Sequence, residues 1–149
     1  MAAGLVAAVL AGAAATGLAA VTAEHHLSSA RQSAHAIAEV LNAPDAVLLT
    51  ARVTAGGTAT VVMSRRDRAL VFTTDGLPPL GAGHCYQLWL MGPAGDRPAG
   101  VLPAPDHGMT SPVMATGLAA GDWVALTVEP VGRSPGSATV PILMLNLAA

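Results

Sequence analysis

Short strand-like runs, each closed by turn residues, fill the chain beyond Pro44. In residues 47–54 the odd-numbered side chains are all apolar, and three of the four even-numbered ones are polar. This period of two predicts a strand with one buried face. Gly56-Gly57 follows, and glycine reaches positive φ angles cheaply, so we expect a hairpin turn into a second strand, Thr58–Ser64.

A charged cluster, Arg65-Arg66-Asp67-Arg68, comes directly after the second run. Its length and polarity predict another tight turn whose charges project into solvent. A docking patch for a partner is the alternative interpretation of the same cluster.

Further strand-like runs reach to the C-terminus, separated by segments rich in Gly, Pro and Asp. They are residues 69–74, 85–91, 99–102, 113–116, 123–129 and 138–147. No helical pattern lies between them, which favours an antiparallel arrangement over a parallel sheet of βαβ units. We therefore predict an all-β fold for residues 44–149, an antiparallel β-sandwich of about seven or eight strands.

The N-terminal stretch is uncharged from Ala2 to Ala23. About 20 apolar residues suffice for a helix to cross a bilayer, so residues 1–23 predict a transmembrane helix. A cleaved signal peptide is the alternative, because Val21 and Ala23 are small enough for a cleavage site. The mature protein would then begin at Glu24. The positive n-region of such peptides is missing, however.

A second helical pattern follows within residues 24–43. Apolar side chains recur at helical spacing from Leu27 to Leu41, and Arg31, His35 and Glu39 lie between them. This predicts a short amphipathic juxtamembrane helix, which Pro44 ends because proline disfavours helical backbone in the residue before it.

The composition narrows the possible partners. Hydrophobic residues make up 52% of the chain and charged residues only 11%, which indicates contact with lipid or deep burial. Seven basic against nine acidic residues give a formal charge of -2, which offers no electrostatic surface for a phosphate backbone. Nucleic acid is therefore excluded as a direct partner, and the single Cys85 allows no internal disulfide.

Residue types suited to catalysis or metal binding are scattered. His84, Cys85, His107 and Met109 are the residue types of a blue-copper site, but such sites take one histidine from a strand well upstream of the cysteine, and this domain has none there. No nucleophile elbow, phosphate loop, dinucleotide fingerprint or zinc spacing occurs. We expect no catalytic residue, no cofactor and no metal, and therefore no enzyme.

Large aromatic side chains are expected in the core. Trp89 and Trp123 each lie in a strand-like run, and a buried indole supplies a large apolar surface with one N–H that needs a partner. We therefore predict that both fill the core of the sandwich. Cys85 is expected to be a small buried hydrophobe at the start of an apolar strand.

Several strings occur in the order that is typical of one family. They are Ala43-Pro44-Asp45-Ala46, Gly57-Thr58-Ala59-Thr60-Val61-Val62-Met63-Ser64, Asp75-Gly76-Leu77-Pro78-Pro79-Leu80, Tyr86-Gln87-Leu88-Trp89-Leu90, Ala99-Gly100-Val101-Leu102 and Thr127-Val128-Glu129-Pro130. Together they resemble the C-terminal, extracytoplasmic domain of RskA-type anti-sigma-K factors. The turn at residues 132–137 departs from the family pattern. The family-motif positions, taken as structural, are Leu77, Pro78, Tyr86, Gln87, Leu88, Trp89, Gly100, Glu129 and Pro130.

The resemblance implies a regulatory role at the cell membrane. It implies a single-pass protein whose C-terminal domain lies outside the cytoplasm, in contact with the bilayer and with a site-1 and an intramembrane protease. A cytoplasmic N-terminal domain binds the sigma factor in this family, and we expect this chain to lack that domain. The alternative is a secreted or membrane-tethered β-sandwich binding module. A third possibility is a small periplasmic enzyme or copper carrier. It is supported by the β architecture alone, and a fold does not define a function.

Overall fold

A computed structural model describes the backbone of residues 7–105, 108–132 and 139–147, and the side chains of these residues from Thr22 onward. It contains the helix α1 (Ala7–Leu41) and a set of strands that begins after it. The strands are β1 (Val47–Arg52), β2 (Thr58–Ser64), β3 (Ala69–Asp75), β4 (His84–Gly92), β5 (Gly95–Val101), β6 (Val113–Thr116), β7 (Trp123–Pro130) and β8 (Leu143–Asn146). The chain divides into a helical unit up to Ala38 and a β unit from Glu39 onward.

One continuous helix replaces the two helices that the sequence predicts. Neither glycine nor proline occurs between Gly17 and Pro44, so nothing interrupts the helical backbone before Leu41, where α1 ends. Within the described residues, no helix has the length and apolarity needed to cross a membrane. The predicted transmembrane helix over residues 1–23 is therefore wrong. The stretch consists mostly of alanine and glycine, which add much less hydropathy than leucine or valine.

Two four-stranded sheets form the β unit. Their strand orders are β1-β2-β3-β6 and β5-β4-β7-β8, and every neighbouring pair is antiparallel. Two strands differ from their predicted bounds by four residues or more at one end. β5 begins four residues before the predicted run 99–102 and includes Pro98, which an edge strand tolerates because one side of it needs no ladder hydrogen bonds. β8 covers only four residues in the C-terminal half of the predicted run 138–147.

The hydrophobic core lies between the two sheets. Val47, Leu49 and Ala51 of β1 pack against it, whereas Leu48 between them is 65% exposed, in agreement with the period of two. The buried core residues are Val53, Ala59, Val61, Met63, Leu70, Phe72, Leu77, Tyr86, Leu88, Leu90, Leu102, Ala115, Leu118, Val124, Leu126, Leu143 and Leu147.

The Gly56-Gly57 turn joins β1 to β2 as predicted. Gly57 has a φ of +81°, and a Cβ added to it would lie 2.3 Å from the carbonyl oxygen of Asp75. Glycine is required here both for the left-handed backbone and for this close approach to the end of β3.

Candidate functional site

The family motif on β4 is tied to the rest of the β unit by its polar side chains. Tyr86, Leu88 and Leu90 face the core, and the Tyr86 hydroxyl donates to the carbonyl oxygen of Pro78 at 2.9 Å. Burial raises the pKa of Tyr86. The contact fastens the proline segment after β3, whose Leu77 is buried in the core, to the first strand of the second sheet.

Gln87 lies on the opposite face of β4. Its side chain stabilises a register shift between β4 and the neighbouring strand β5. Its Nε2 donates to the carbonyl oxygen of Gly100 at 2.8 Å and to that of Leu88 at 3.0 Å. The pairing of β4 with β5 shifts at this point, because Leu88 lies opposite Gly100 whereas Trp89 lies opposite Pro98. Two motif positions distant in sequence, Gln87 and Gly100, are thus in direct contact at a β-bulge.

Trp89 is buried as predicted, although it lies outside the cluster between the sheets, whereas Trp123 is exposed and the prediction for it is wrong. Trp89 is 4% exposed, but it belongs to the outward face of the second sheet, where its Nε1 donates to the Thr127 hydroxyl at 2.9 Å. Trp123 is 39% exposed. The neighbouring Val124 and Leu126 point inward, so strand alternation places Trp123 outward despite its size.

The last motif residues lie at the far end of β7. Glu129 is buried, and its Oε1 accepts a hydrogen bond from the Thr139 hydroxyl at 2.8 Å. Pro130 pairs with His84 at the end of the β4–β7 ladder. The motif positions therefore lie on β4, β5, β7 and the segment after β3, and they do not converge on one pocket.

The residues considered for copper are likewise dispersed. Cys85 is half-buried opposite Glu129, and Met109 is 58% exposed in an isolated bridge with Asp75. His107 lies outside the described residues. Among the described part of the chain, no group of three or more His, Cys, Asp or Glu side chains could hold a metal ion.

Asp45, which belongs to a family string but was assigned no role, caps the turn between β2 and β3. Its Oδ2 accepts from the backbone N–H of Arg66 at 2.9 Å and its Oδ1 accepts from the Ser64 hydroxyl at 2.8 Å. These two hydrogen bonds, the Arg66 one foremost, lower the pKa of Asp45. The Ser64 Oγ in turn accepts from the N–H of Asp67, so the charged cluster is a firmly held turn.

A partly buried ion pair closes the same end of the sandwich and was not expected from the sequence. The Nη2 of Arg97 donates to Oδ2 of Asp122, whose side chain is fully buried. The same Oδ2 accepts from the N–H of Ala119 at 2.8 Å, and Arg97 Nη1 donates to the Gly117 carbonyl at 3.0 Å. The partners are 25 positions apart, so no local pattern could reveal the pair.

Beside this ion pair lies a cavity of about 380 Å³, between the β2–β3 turn and the loop from β6 to β7. Met63, Leu118 and Leu147 form its apolar floor, and Arg65 and Arg68 of the charged cluster stand at its rim. From the sequence, only the arginine cluster at the rim indicated a possible binding surface. Nothing in the sequence indicated the cavity itself.

The two packed sheets define a β-sandwich domain. Its motif residues make contacts that join strands and segments of the sandwich, so the motif is structural. The family described as "Anti-sigma-K factor rskA, C-terminal" matches residues 2–142, nearly the whole chain. The chain belongs to this family, which confirms the resemblance seen in the motifs.

Individual relatives agree with the family. The anti-sigma-K factor RskA of Mycolicibacterium vanbaalenii is 34% identical over 96 residues, which are 64% of this chain and 40% of the relative. That of Mycobacterium tuberculosis strain H37Ra is 38% identical over 98 residues, 65% of this chain and 42% of the relative. A Streptomyces griseus protein described as "Uncharacterized protein in phr 5'region" is 31% identical over 147 residues, 94% of this chain and 61% of the relative.

The chain thus spans between 40% and 61% of the length of these relatives. No solved structure matches it.

Proposed function

We propose that this chain supplies the extracytoplasmic regulatory domain of an anti-sigma factor that controls an extracytoplasmic-function sigma factor. The observation that carries the proposal is the family match over residues 2–142, with relatives named as anti-sigma-K factors. We assign the sigma factor as the partner of the whole protein and its binding to a part outside the β-sandwich of residues 44–149. No catalytic role is proposed.

In this proposal the β domain works at the outer side of the cell membrane and restrains proteolysis. A site-1 protease would cut first and an intramembrane protease second, which would release the sigma factor. The described helix residues 22–35 support an exposed cleavage segment, because all of their side chains are accessible. Proteases cut exposed, locally opened segments rather than packed strands.

The nine family-motif residues act as scaffold in this proposal. The contacts of Tyr86, Gln87 and Trp89 each join β4 to another segment, which supports a role in keeping the domain folded and closed. A domain that loses these contacts would no longer restrain proteolysis.

A reporter experiment tests the regulatory role. The gene for the whole anti-sigma protein is expressed with its sigma factor, and transcription from a sigma-dependent promoter is measured for the wild type and for Trp89→Ala. We expect higher transcription in the variant, because a poorly folded domain leaves the protein open to proteolysis without a signal. The matched control Trp123→Ala should leave transcription near the wild-type level.

Equal transcription in wild type and Trp89→Ala, with both proteins present in the membrane fraction, would contradict this role for the domain. A C-terminal alkaline phosphatase fusion tests the compartment, because that enzyme is active only outside the cytoplasm. An inactive fusion would contradict the extracytoplasmic placement.

A binding module is the second candidate, and one surface observation favours it. Trp123 and Met144 are exposed on strands of the second sheet, by 39% and 54%, and exposed aromatic side chains frequently anchor protein interfaces. N-terminal sequencing of the mature protein separates the candidates, since a secreted module would begin at Glu24.

A further inference from the structure

The cavity at the end of the sandwich has the dimensions and the floor of a small-ligand site. Its volume of about 380 Å³ falls within the range of such sites. Met63, Leu118 and Leu147 form the floor, and each is at most 5% exposed. The floor therefore consists of core side chains, which present a preformed apolar surface.

The rim carries positive charge in fixed positions. Arg65 donates through Nη2 to the Leu147 carbonyl, and Arg68 donates through Nε to the Leu118 carbonyl at 3.1 Å. Each guanidinium is thereby anchored next to a residue of the floor. Arg68 makes no ion pair within the described part of the chain, so its charge is available to a ligand.

Two main-chain donors stand beside these arginines. The N–H groups of Ala120 and Gly121, which also line the cavity, make no hydrogen bond to any described residue. Among the described residues, two carboxylates lie near the cavity, and neither makes an ion pair with Arg68. Asp122 is fully buried in its ion pair with Arg97, and Asp67 is exposed in the same turn as the arginines.

The geometry points to a binding site for an aliphatic carboxylate, with the alkyl group on the floor and the carboxylate at the rim. Arginine suits the carboxylate because its planar guanidinium presents paired N–H donors. A free short-chain fatty acid and the C-terminal residue of a peptide both have this chemistry. The inference stands apart from the regulatory role, because it uses only the cavity and its charges.

The test uses the full chain with labelled methyl groups and four probes observed by NMR. The probes are octanoate, octanol, and the peptide N-acetyl-Ala-Ala-Leu as the free acid and as the amide. We expect at least one acid to shift the methyl signals of Met63, Leu118 and Leu147, with octanol and the amide binding at least tenfold more weakly. Binding by octanoate alone would identify a fatty acid, and binding by the peptide acid alone would identify a peptide terminus.

Arg68→Gln should weaken binding of the acid about tenfold or more, because a charge-assisted contact is lost. Arg66→Gln is the matched control, since Arg66 belongs to the same turn and does not line the cavity; it should change affinity less than about twofold. A second variant, Ala120→Leu, fills the cavity from the exposed turn and should abolish binding. It keeps the test valid if Arg68→Gln fails to fold.

Several results would overturn the inference. They are the absence of binding by either acid, equal binding by octanol and octanoate, equal effects of Arg66→Gln and Arg68→Gln, and unchanged binding by Ala120→Leu.

Discussion

The indole N–H of Trp89 donates to the hydroxyl oxygen of Thr127 at 2.9 Å, on the side of the second sheet that faces away from the core. β4 and β7, which carry these two residues, are the central strands of that sheet. Both side chains are nearly inaccessible, at 4% and 0% exposure. The most specific part of the family motif therefore stabilises the sheet from its outer side.

Replacement of Trp89 should strongly destabilise the β unit. We expect Trp89→Ala to reduce the free energy of unfolding by about 3–5 kcal/mol, the range for truncation of a buried aromatic side chain. Three effects contribute to this loss of stability. The truncation leaves a cavity, it removes buried apolar surface, and it leaves the Thr127 hydroxyl oxygen without the indole N–H that donates to it. Equilibrium unfolding in urea, followed by circular dichroism, measures the change.

Trp123→Ala is the matched control, because this side chain lies on the same face and is 39% exposed. It should cost about 1 kcal/mol or less. Equal losses in the two variants would show that Trp89 contributes no more than an exposed surface residue.

Asp45 should make the stability of the β unit depend on acidic pH. Its folded-state pKa is below the ordinary value of 3.8, because the Arg66 N–H and the Ser64 hydroxyl donate to the charged carboxylate. The ionised group therefore stabilises the fold above about pH 3.8, and this contribution is lost as the pH falls through the folded-state pKa. Urea midpoints measured from neutral pH downward should fall less steeply below pH 4 for Asp45→Ala than for the wild type.

Asp67→Ala serves as the control for that series, because it removes another carboxylate near the same turn. The Asp67 side chain makes no hydrogen bond to any described residue, although its backbone N–H donates to Ser64. Its acid profile should match that of the wild type. A wild-type slope in Asp45→Ala would show that the cap contributes nothing.

Local patterns account for the strands and for most turns. The alternation in residues 47–54 was sufficient to predict which side chains of β1 face the core, because a strand has only two faces. Gly56-Gly57 was sufficient to predict the first hairpin. The family strings supplied the identity of the domain, and they contained Asp45, although nothing in its immediate neighbours indicated that it caps a turn around residue 65.

Features that depend on distant contacts could not be predicted. Trp123 was assigned to the core by its size, whereas alternation along β7 places it on the outer face of the second sheet. Arg97 and Asp122 belong to different strands and loops, so only the assembled sheets bring them together. The predicted boundary between two helices at residues 23 and 24 is wrong as well, because a single helix, Ala7–Leu41, continues through Glu24.

The Arg97–Asp122 ion pair should be one of the most sensitive polar contacts in the β unit. Asp122→Ala leaves Arg97 without its carboxylate and removes the acceptor for the Ala119 N–H, so we expect a loss of about 3 kcal/mol. A double-mutant cycle with Arg97→Met, measured by urea unfolding, isolates the pair. A coupling energy near zero would show that the two side chains act independently.

The bulge between β4 and β5 provides a final prediction, because two separate obstacles prevent a side chain at Gly100. Its φ is +150°, and an added Cβ would lie 2.7 Å from Cγ1 of Val113. Gly95 shares only the first obstacle, since its φ is +94° and nothing lies within 4 Å of an added Cβ. Gly95→Ala should therefore cost about 1 kcal/mol through backbone strain, and Gly100→Ala about 2–3 kcal/mol through strain and overlap together.

Val113→Ala in the Gly100→Ala background should recover part of the second loss by making room for the new methyl group, as measured by the urea midpoint. If the double variant is no more stable than the sum of the single changes predicts, the overlap with Val113 is not the cause, and the bulge depends on the backbone of Gly100 alone.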